Sequence, residues 1–120
     1  PITLTPEDIN DIVCTAIEGG ITYWCETYKV PLMINKKQRN SMPQDETTQA
    51  YDVLGYGGVL DLHDGTRWHE LTKSHLMQGM QQWIDSQTFK PGDAFDIGNI
   101  DAGDADSIVQ YAIFGELKYG

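Results

Sequence analysis

The sequence predicts an α+β fold, with about three helices packed on a small antiparallel sheet that contains a β-hairpin. Three amphipathic stretches with helix-capping residues, and a turn signal between two short apolar runs, lead to this prediction. The chain has 120 residues, 40% of them hydrophobic and 22% charged, so residues 1–120 are expected to form a single domain.

The first helix is predicted to begin after Thr5. Thr5 is a suitable N-cap, and Pro6 fits the first helical position. An apolar stripe follows at helical spacing: Ile9, Ile12, Val13, Ala16 and Ile17. Gly19 and Gly20 are expected to end or bend this helix. Residues 21–30, ITYWCETYKV, are rich in aromatic and β-branched side chains and are predicted to form a strand, with helix continuation as the alternative.

A hairpin is predicted in the middle of the chain. Its strands are Val59–His63 and residues 67–71, joined by a two-residue turn at Asp64-Gly65. In that register His63 and His69 lie on opposite faces of the ribbon, which argues against a shared metal ion. Before the hairpin, residues 35–50 show no periodicity and are predicted to form a flexible basic loop.

Two further helices are predicted after the hairpin. Thr72 is expected to cap the second, whose apolar face carries Leu76, Met80, Trp83 and Ile84. Gly79 within this helix indicates a close neighbour. The last helix is predicted to start at Asp101 and stop at Gly115, with residues 116–119 adding a short edge strand. Its apolar stripe comprises Ala105, Ile108, Val109, Ala112 and Ile113.

The charge is strongly acidic and segregated along the chain. Eighteen Asp and Glu against eight Lys and Arg give a net charge of −10. Residues 1–28 hold no Lys or Arg, residues 29–39 hold no Asp or Glu, and residues 85–106 are again acidic. A surface of this sign repels phosphate, so direct nucleic-acid binding is disfavoured. The surplus charge indicates either a solubilising surface or a face that docks on a basic partner.

No enzyme, cofactor or metal site is predicted. The sequence contains no nucleophile elbow, phosphate-cradling glycine loop or nucleotide fingerprint. The aspartates after position 92 do not follow a calcium-loop pattern, and Cys14 and Cys25 lie far from the histidines in sequence. Two cysteines and no long apolar run favour a reducing cytoplasm and no membrane span.

Two segments resemble a known family. EDINDIVCTAIEGGITYWC at residues 7–25 and IDAGDADSIVQYAIFGELKYG at residues 100–120 resemble the ends of small acidic proteins encoded by bacteriophages and prophages. The resemblance implies a phage accessory protein that acts in the bacterial host cytoplasm. Small acidic phage proteins of this kind often resemble host-takeover or anti-defence inhibitors, including anti-CRISPR proteins. It implies no established activity, catalytic residue or fold.

Charge and resemblance together predict a non-enzymatic inhibitor of a host nucleic-acid-handling or defence complex, acting through a surface that mimics nucleic acid. The expected partner is a basic host protein or nucleoprotein complex. No membrane binding is expected, and formation of a homo-oligomer is left as a possibility. The predicted partner-binding residues are Glu7, Asp8, Asp11, Asp93, Asp96, Asp101, Asp104 and Asp106.

Two alternatives remain at this point. One is a sponge that sequesters a nucleotide defence signal, with Lys36, Lys37 and Arg39 as the ligand-binding residues. The other is a phage structural or assembly protein, which large homo-oligomers would favour.

Overall fold

The computed structural model describes residues 4–32, 54–86 and 100–120, and it confirms the α+β class. Within these ranges, three α-helices accompany one three-stranded antiparallel sheet of order β1-β2-β3. The elements are α1 (Pro6–Thr15), a π-helical turn (Ala16–Gly20), β1 (Thr27–Leu32), β2 (Val59–His63), β3 (Trp68–Leu71), α2 (Lys73–Ser86) and α3 (Ala102–Phe114). The predicted basic loop at 35–50 lies outside the described residues.

Helix α1 begins as predicted. The Thr5 hydroxyl accepts from the Asp8 amide at 3.1 Å, and the Asp8 carboxylate accepts from the Thr5 amide at 3.0 Å, which completes a capping box. The predicted stripe faces the core, with Ile17 partly buried. The bend predicted at the glycines is a π-helical turn that ends at Gly20. A Cβ there would lie 2.4 Å from the Ala102 carbonyl oxygen, so this contact with α3 requires glycine.

The strand prediction for residues 21–30 was wrong at its beginning. The amides of Trp24 and Cys25 both donate to the Ile21 carbonyl, at 3.1 and 2.7 Å, so the chain turns here. Strand β1 starts only at Thr27. The aromatic residues that suggested a strand serve packing instead, since Trp24 is buried in the core.

The hairpin is confirmed, but its predicted two-residue turn was wrong. His63 pairs with Trp68 and Leu62 with His69, which leaves a four-residue connection at 64–67. The Asp64 carboxylate causes the longer loop, because one of its oxygens accepts from the amides of Thr66 and Arg67 at 2.8 and 3.0 Å. The observed register still places His63 and His69 on opposite faces of the ribbon.

Helices α2 and α3 pack closely on each other and carry much of the core. Thr72 caps α2 by accepting from the His75 amide at 3.1 Å, as predicted. Gly79 has the predicted close neighbour, since a Cβ there would lie 2.5 Å from the Ile108 carbonyl oxygen of α3. Helix α3 starts at Ala102, one residue after the predicted start, with Asp101 as its N-cap, and it stops at Gly115 (φ of 73°) as predicted.

The edge strand predicted for residues 116–119 was wrong. These residues form no strand. The amides of Lys118 and Tyr119 each donate to the Gln110 side-chain oxygen at 2.8 Å. The buried Gln110 side chain of α3 therefore accepts the backbone hydrogen bonds that a neighbouring strand would otherwise accept.

Candidate partner-binding site

Three predicted acidic residues lie at the start of α1. Glu7 and Asp11 are exposed, whereas Asp8 is half-buried in the capping box. The Glu7 carboxylate accepts from the Tyr56 hydroxyl at 3.0 Å. Its own backbone amide, and then Tyr56, hold the pKa of Glu7 below its ordinary value. This helix start therefore presents the Glu7 carboxylate in its ionised form at neutral pH.

Three more predicted residues lie at the start of α3, and all have structural partners. Asp101 and Asp104 form a second capping box, with hydrogen bonds of 2.8 and 3.2 Å between side chain and backbone. Asp106 accepts from the Trp24 indole at 2.7 Å and from the Tyr23 hydroxyl at 2.6 Å. Asp101 is exposed, while Asp104 and Asp106 are half-buried. Asp106 thus anchors the turn that precedes β1.

The two acidic helix starts are separated by the length of α1 and the π-helical turn. Gly55 packs on Pro6 at one end, where a Cβ would lie 2.4 Å from the Pro6 carbonyl oxygen. Gly20 packs on Ala102 at the other end. At about 1.5 Å per helical residue, Glu7 and Gly20 are roughly 20 Å apart. Glu18, which is also exposed, belongs to the far end.

The other predicted site residues lie outside the described residues. These are Asp93 and Asp96 of the partner-binding set, and Lys36, Lys37 and Arg39 of the alternative ligand-binding set.

A second polar cluster, which the sequence analysis missed, is centred on Asp64. Its second carboxylate oxygen accepts from His69 Nε2 at 2.7 Å and from the Tyr119 hydroxyl at 3.4 Å. The Asp64 side chain is 2% exposed and the His69 side chain 9%. The Arg67 amide, followed by His69 and the Thr66 amide, holds the pKa of Asp64 far below its ordinary value. This carboxylate ties the hairpin loop to the residues that follow α3.

An aromatic cluster adjoins Asp64. The Tyr119 ring stacks on Trp24, with centroids 5.4 Å apart and planes 7° apart. Phe114 packs edge-on against His69 at 4.8 Å and against Tyr119 at 5.7 Å. Gln110, 1% exposed, lies beneath them and donates to Asp106 at 2.8 Å. The cluster therefore combines apolar ring faces with a buried amide.

The Cys25 thiol lies close enough to Asp64 to be affected by its charge, and its surroundings do not activate it as a nucleophile. Burial raises the pKa of the Cys25 thiol, and the charge of Asp64 raises it further, so the reactive thiolate is disfavoured. In the described ranges, no three His, Cys, Asp or Glu side chains converge as a metal ion requires. His75 Nδ1 is buried without a hydrogen-bond partner, and nothing in the structure explains it.

Sequence signals for the missed residues were weak. Asp64 precedes a glycine, and aspartate in that position commonly bonds amides two and three residues on. Gln110 lies beside the predicted stripe of α3, and its burial depends on residues 118–119 returning across the helix. No local pattern indicates that return.

Comparison with known proteins finds no matching family model, curated protein or solved structure. Among the described residues, no helix has the length and apolar character needed to cross a membrane.

Proposed function

We propose that this chain is a non-enzymatic binding protein whose acidic surface docks on a basic partner. Following the resemblance of its end segments, the proposed setting is a bacteriophage accessory protein in the host cytoplasm, acting on a nucleic-acid-handling or defence complex. The observation that carries the proposal is the surplus of 18 acidic over 8 basic residues, six of the acidic residues lying at the starts of α1 and α3.

Electrostatics explains how such a surface works. The roughly 20 Å between the two helix starts corresponds to about six steps of 3.4 Å along one DNA strand. Carboxylates placed across that distance would pair with Lys and Arg side chains of a channel that normally binds phosphates. Long-range attraction accelerates association, and added salt weakens it because the Debye length falls to about 8 Å at physiological ionic strength.

The test compares two charge-reversal variants of equal net charge. Glu7→Lys with Asp11→Lys alters exposed residues one turn apart on α1, within the proposed face. Glu70→Lys with Asp85→Lys is the matched control, because these exposed residues lie on β3 and α2. Tagged chains are incubated with nuclease-treated host lysate and washed at rising salt. Retained proteins and heat-released small molecules are identified by mass spectrometry.

The expected result is a basic nucleic-acid-binding protein that elutes as salt rises and is lost from the α1 variant but retained by the control. Equal retention by both variants would refute the proposed face. A heat-released nucleotide without a protein partner would favour the sponge, and self-association alone would favour an assembly protein.

The α3 acids need a gentler change, because they also cap the helix. Asp101→Asn with Asp104→Asn removes both charges, and asparagine is as good an N-cap as aspartate. We expect this variant to keep its stability and to elute from the partner at lower salt than the unmodified chain.

A further inference from the structure

Residues 115–120, here called the strap, lie across α3 like a bound peptide. Gly115, with φ of 73°, turns the chain back over the helix it has just left. Gln110 then bonds the strap backbone three times: its oxygen accepts from the Lys118 and Tyr119 amides at 2.8 Å each, and its nitrogen donates to the Tyr119 carbonyl at 3.2 Å. Main-chain bonds of this kind are independent of the side chains that the bound segment carries.

Two side chains of the strap fill specific positions. The Tyr119 ring lies flat on Trp24, and its hydroxyl reaches the Asp64 carboxylate. The Lys118 ammonium lies 5.0 Å from the centre of the Phe114 ring, a cation–π contact. Leu117, in contrast, is 52% exposed. The strap is therefore held by its backbone, one aromatic ring and one cation.

The surface beneath the strap has the parts of a peptide-binding groove. Trp24 and Phe114 supply ring faces, and the buried Gln110 amide forms hydrogen bonds with an extended backbone. The Asp64 carboxylate accepts hydrogen bonds at the far end of the groove. Peptide grooves commonly combine main-chain hydrogen bonds for affinity with side-chain pockets for specificity. The groove lies in a strongly acidic chain, which favours a basic segment as its ligand.

We propose that this groove binds an extended segment of the partner in which Lys or Arg directly precedes an aromatic residue, and that the strap occupies the groove until that segment displaces it. The proposal rests on the proposed function, because it takes the partner to be basic. It adds a site of defined chemistry, separate from the acidic residues Glu7 and Asp11.

The strap competes at the high effective concentration of a tethered segment, commonly millimolar, so the groove is best tested once the hold of the strap is weakened. Tyr119→Ala in the full chain removes the stacked ring. Three synthetic peptides are then added: Glu-Leu-Lys-Tyr-Gly, its Lys→Ala form and its Tyr→Ala form. The readout is the NMR resonance of the Trp24 indole N–H, which senses the ring current of a stacked tyrosine. The Trp83 indole resonance reports whether the fold is intact.

The unmodified peptide is expected to return the Trp24 resonance toward its position in the original chain, with saturation. The Lys→Ala peptide should bind about threefold more weakly, the equivalent of one exposed cation–π contact. The Tyr→Ala peptide should leave the resonance unmoved. No response to the unmodified peptide at millimolar concentration, or equal responses to all three, would overturn the proposal.

A second measurement covers the case in which Tyr119→Ala does not fold. A spin-labelled Glu-Leu-Lys-Tyr-Gly peptide, added to the unmodified chain above the effective concentration of the tethered strap, should broaden the Trp24 indole resonance more strongly than that of Trp68; equal broadening of both, or none, would contradict the proposal. Neither measurement alters Glu7 or Asp11, the residues changed in the docking test. Failure here leaves the salt-dependent docking test standing, and failure of docking leaves the peptide result standing.

Discussion

Replacing Gly79 with alanine is expected to destabilise the chain by about 2 kcal/mol, even though alanine is the better helix former. A Cβ at Gly79 would lie 2.5 Å from the Ile108 carbonyl oxygen and 2.7 Å from the Ala112 amide nitrogen of α3, where ordinary contact begins at 3.4 Å. These neighbours are backbone atoms, so the two helices must separate by roughly 1 Å to relieve the overlap.

The magnitude follows from two opposing effects. Overpacking costs up to about 3 kcal/mol, while the higher helix propensity of alanine offsets about 1 kcal/mol. The remaining 2 kcal/mol corresponds to a fall of about 8 °C in Tm. Urea unfolding followed by circular dichroism measures the change in the free energy of unfolding.

Gly103→Ala is the matched control for this prediction. Gly103 is also helical, but the nearest atom to its added Cβ, outside its two chain neighbours and the helix's own backbone, would be a side-chain oxygen of Asp101 at 3.4 Å, which is an ordinary contact. This substitution should therefore stabilise the chain by about 0.5–1 kcal/mol. If Gly79→Ala proves as stable as the original chain, the close approach of α2 and α3 described above is refuted.

Three other changes have defined outcomes. Asp106→Ala should lower the free energy of unfolding, measured with urea, by about 2 kcal/mol, because the Trp24 indole loses its acceptor whereas the Gln110 amide keeps the Tyr119 carbonyl; a loss below about 1 kcal/mol would contradict this. The folded-state pKa of Asp64 is depressed, so its stabilisation is complete above the unfolded-state pKa and is lost as pH falls below about 4. Asp64→Asn should accordingly show a flatter decline of stability with acid than the unmodified chain, and parallel pH curves would refute the assignment. Thr72→Ala should lower the free energy of unfolding by about 1 kcal/mol through loss of the α2 cap, whereas Thr72→Ser should change it little.

Features controlled by neighbouring residues could be predicted from the sequence. Thr5 and Thr72 could be predicted as caps because a side-chain oxygen bonds an amide three residues later, which is a local pattern. Gly79 was identified as a close-packing position for a similar reason, since glycine is costly within a helix unless a neighbour requires it.

Features controlled by a distant or unusual partner could not be predicted. The hairpin turn was two residues too short because Asp64 bonds the loop amides as well as His69. The final edge strand was wrong because the Gln110 side chain takes the hydrogen bonds of residues 118–119. Of the candidate site, the acidic helix starts were visible in the charge pattern, whereas the groove around Trp24 depends on tertiary contacts alone.

The π-helical turn at Ala16–Gly20 constrains how the length of this chain can vary. Such a turn holds one residue more than an α-helical turn, and each helical residue rotates the chain by about 100°. Deleting one residue between 16 and 20 would convert this turn into an α-helical turn of the same total rotation, so the chain after it would still face Ala102 and Asp106. Deleting one residue within 6–15 has no such compensation and would rotate everything that follows by about 100°. Related chains are therefore expected to tolerate the loss of one exposed residue of this turn, such as Glu18, while keeping the length of α1 itself unchanged.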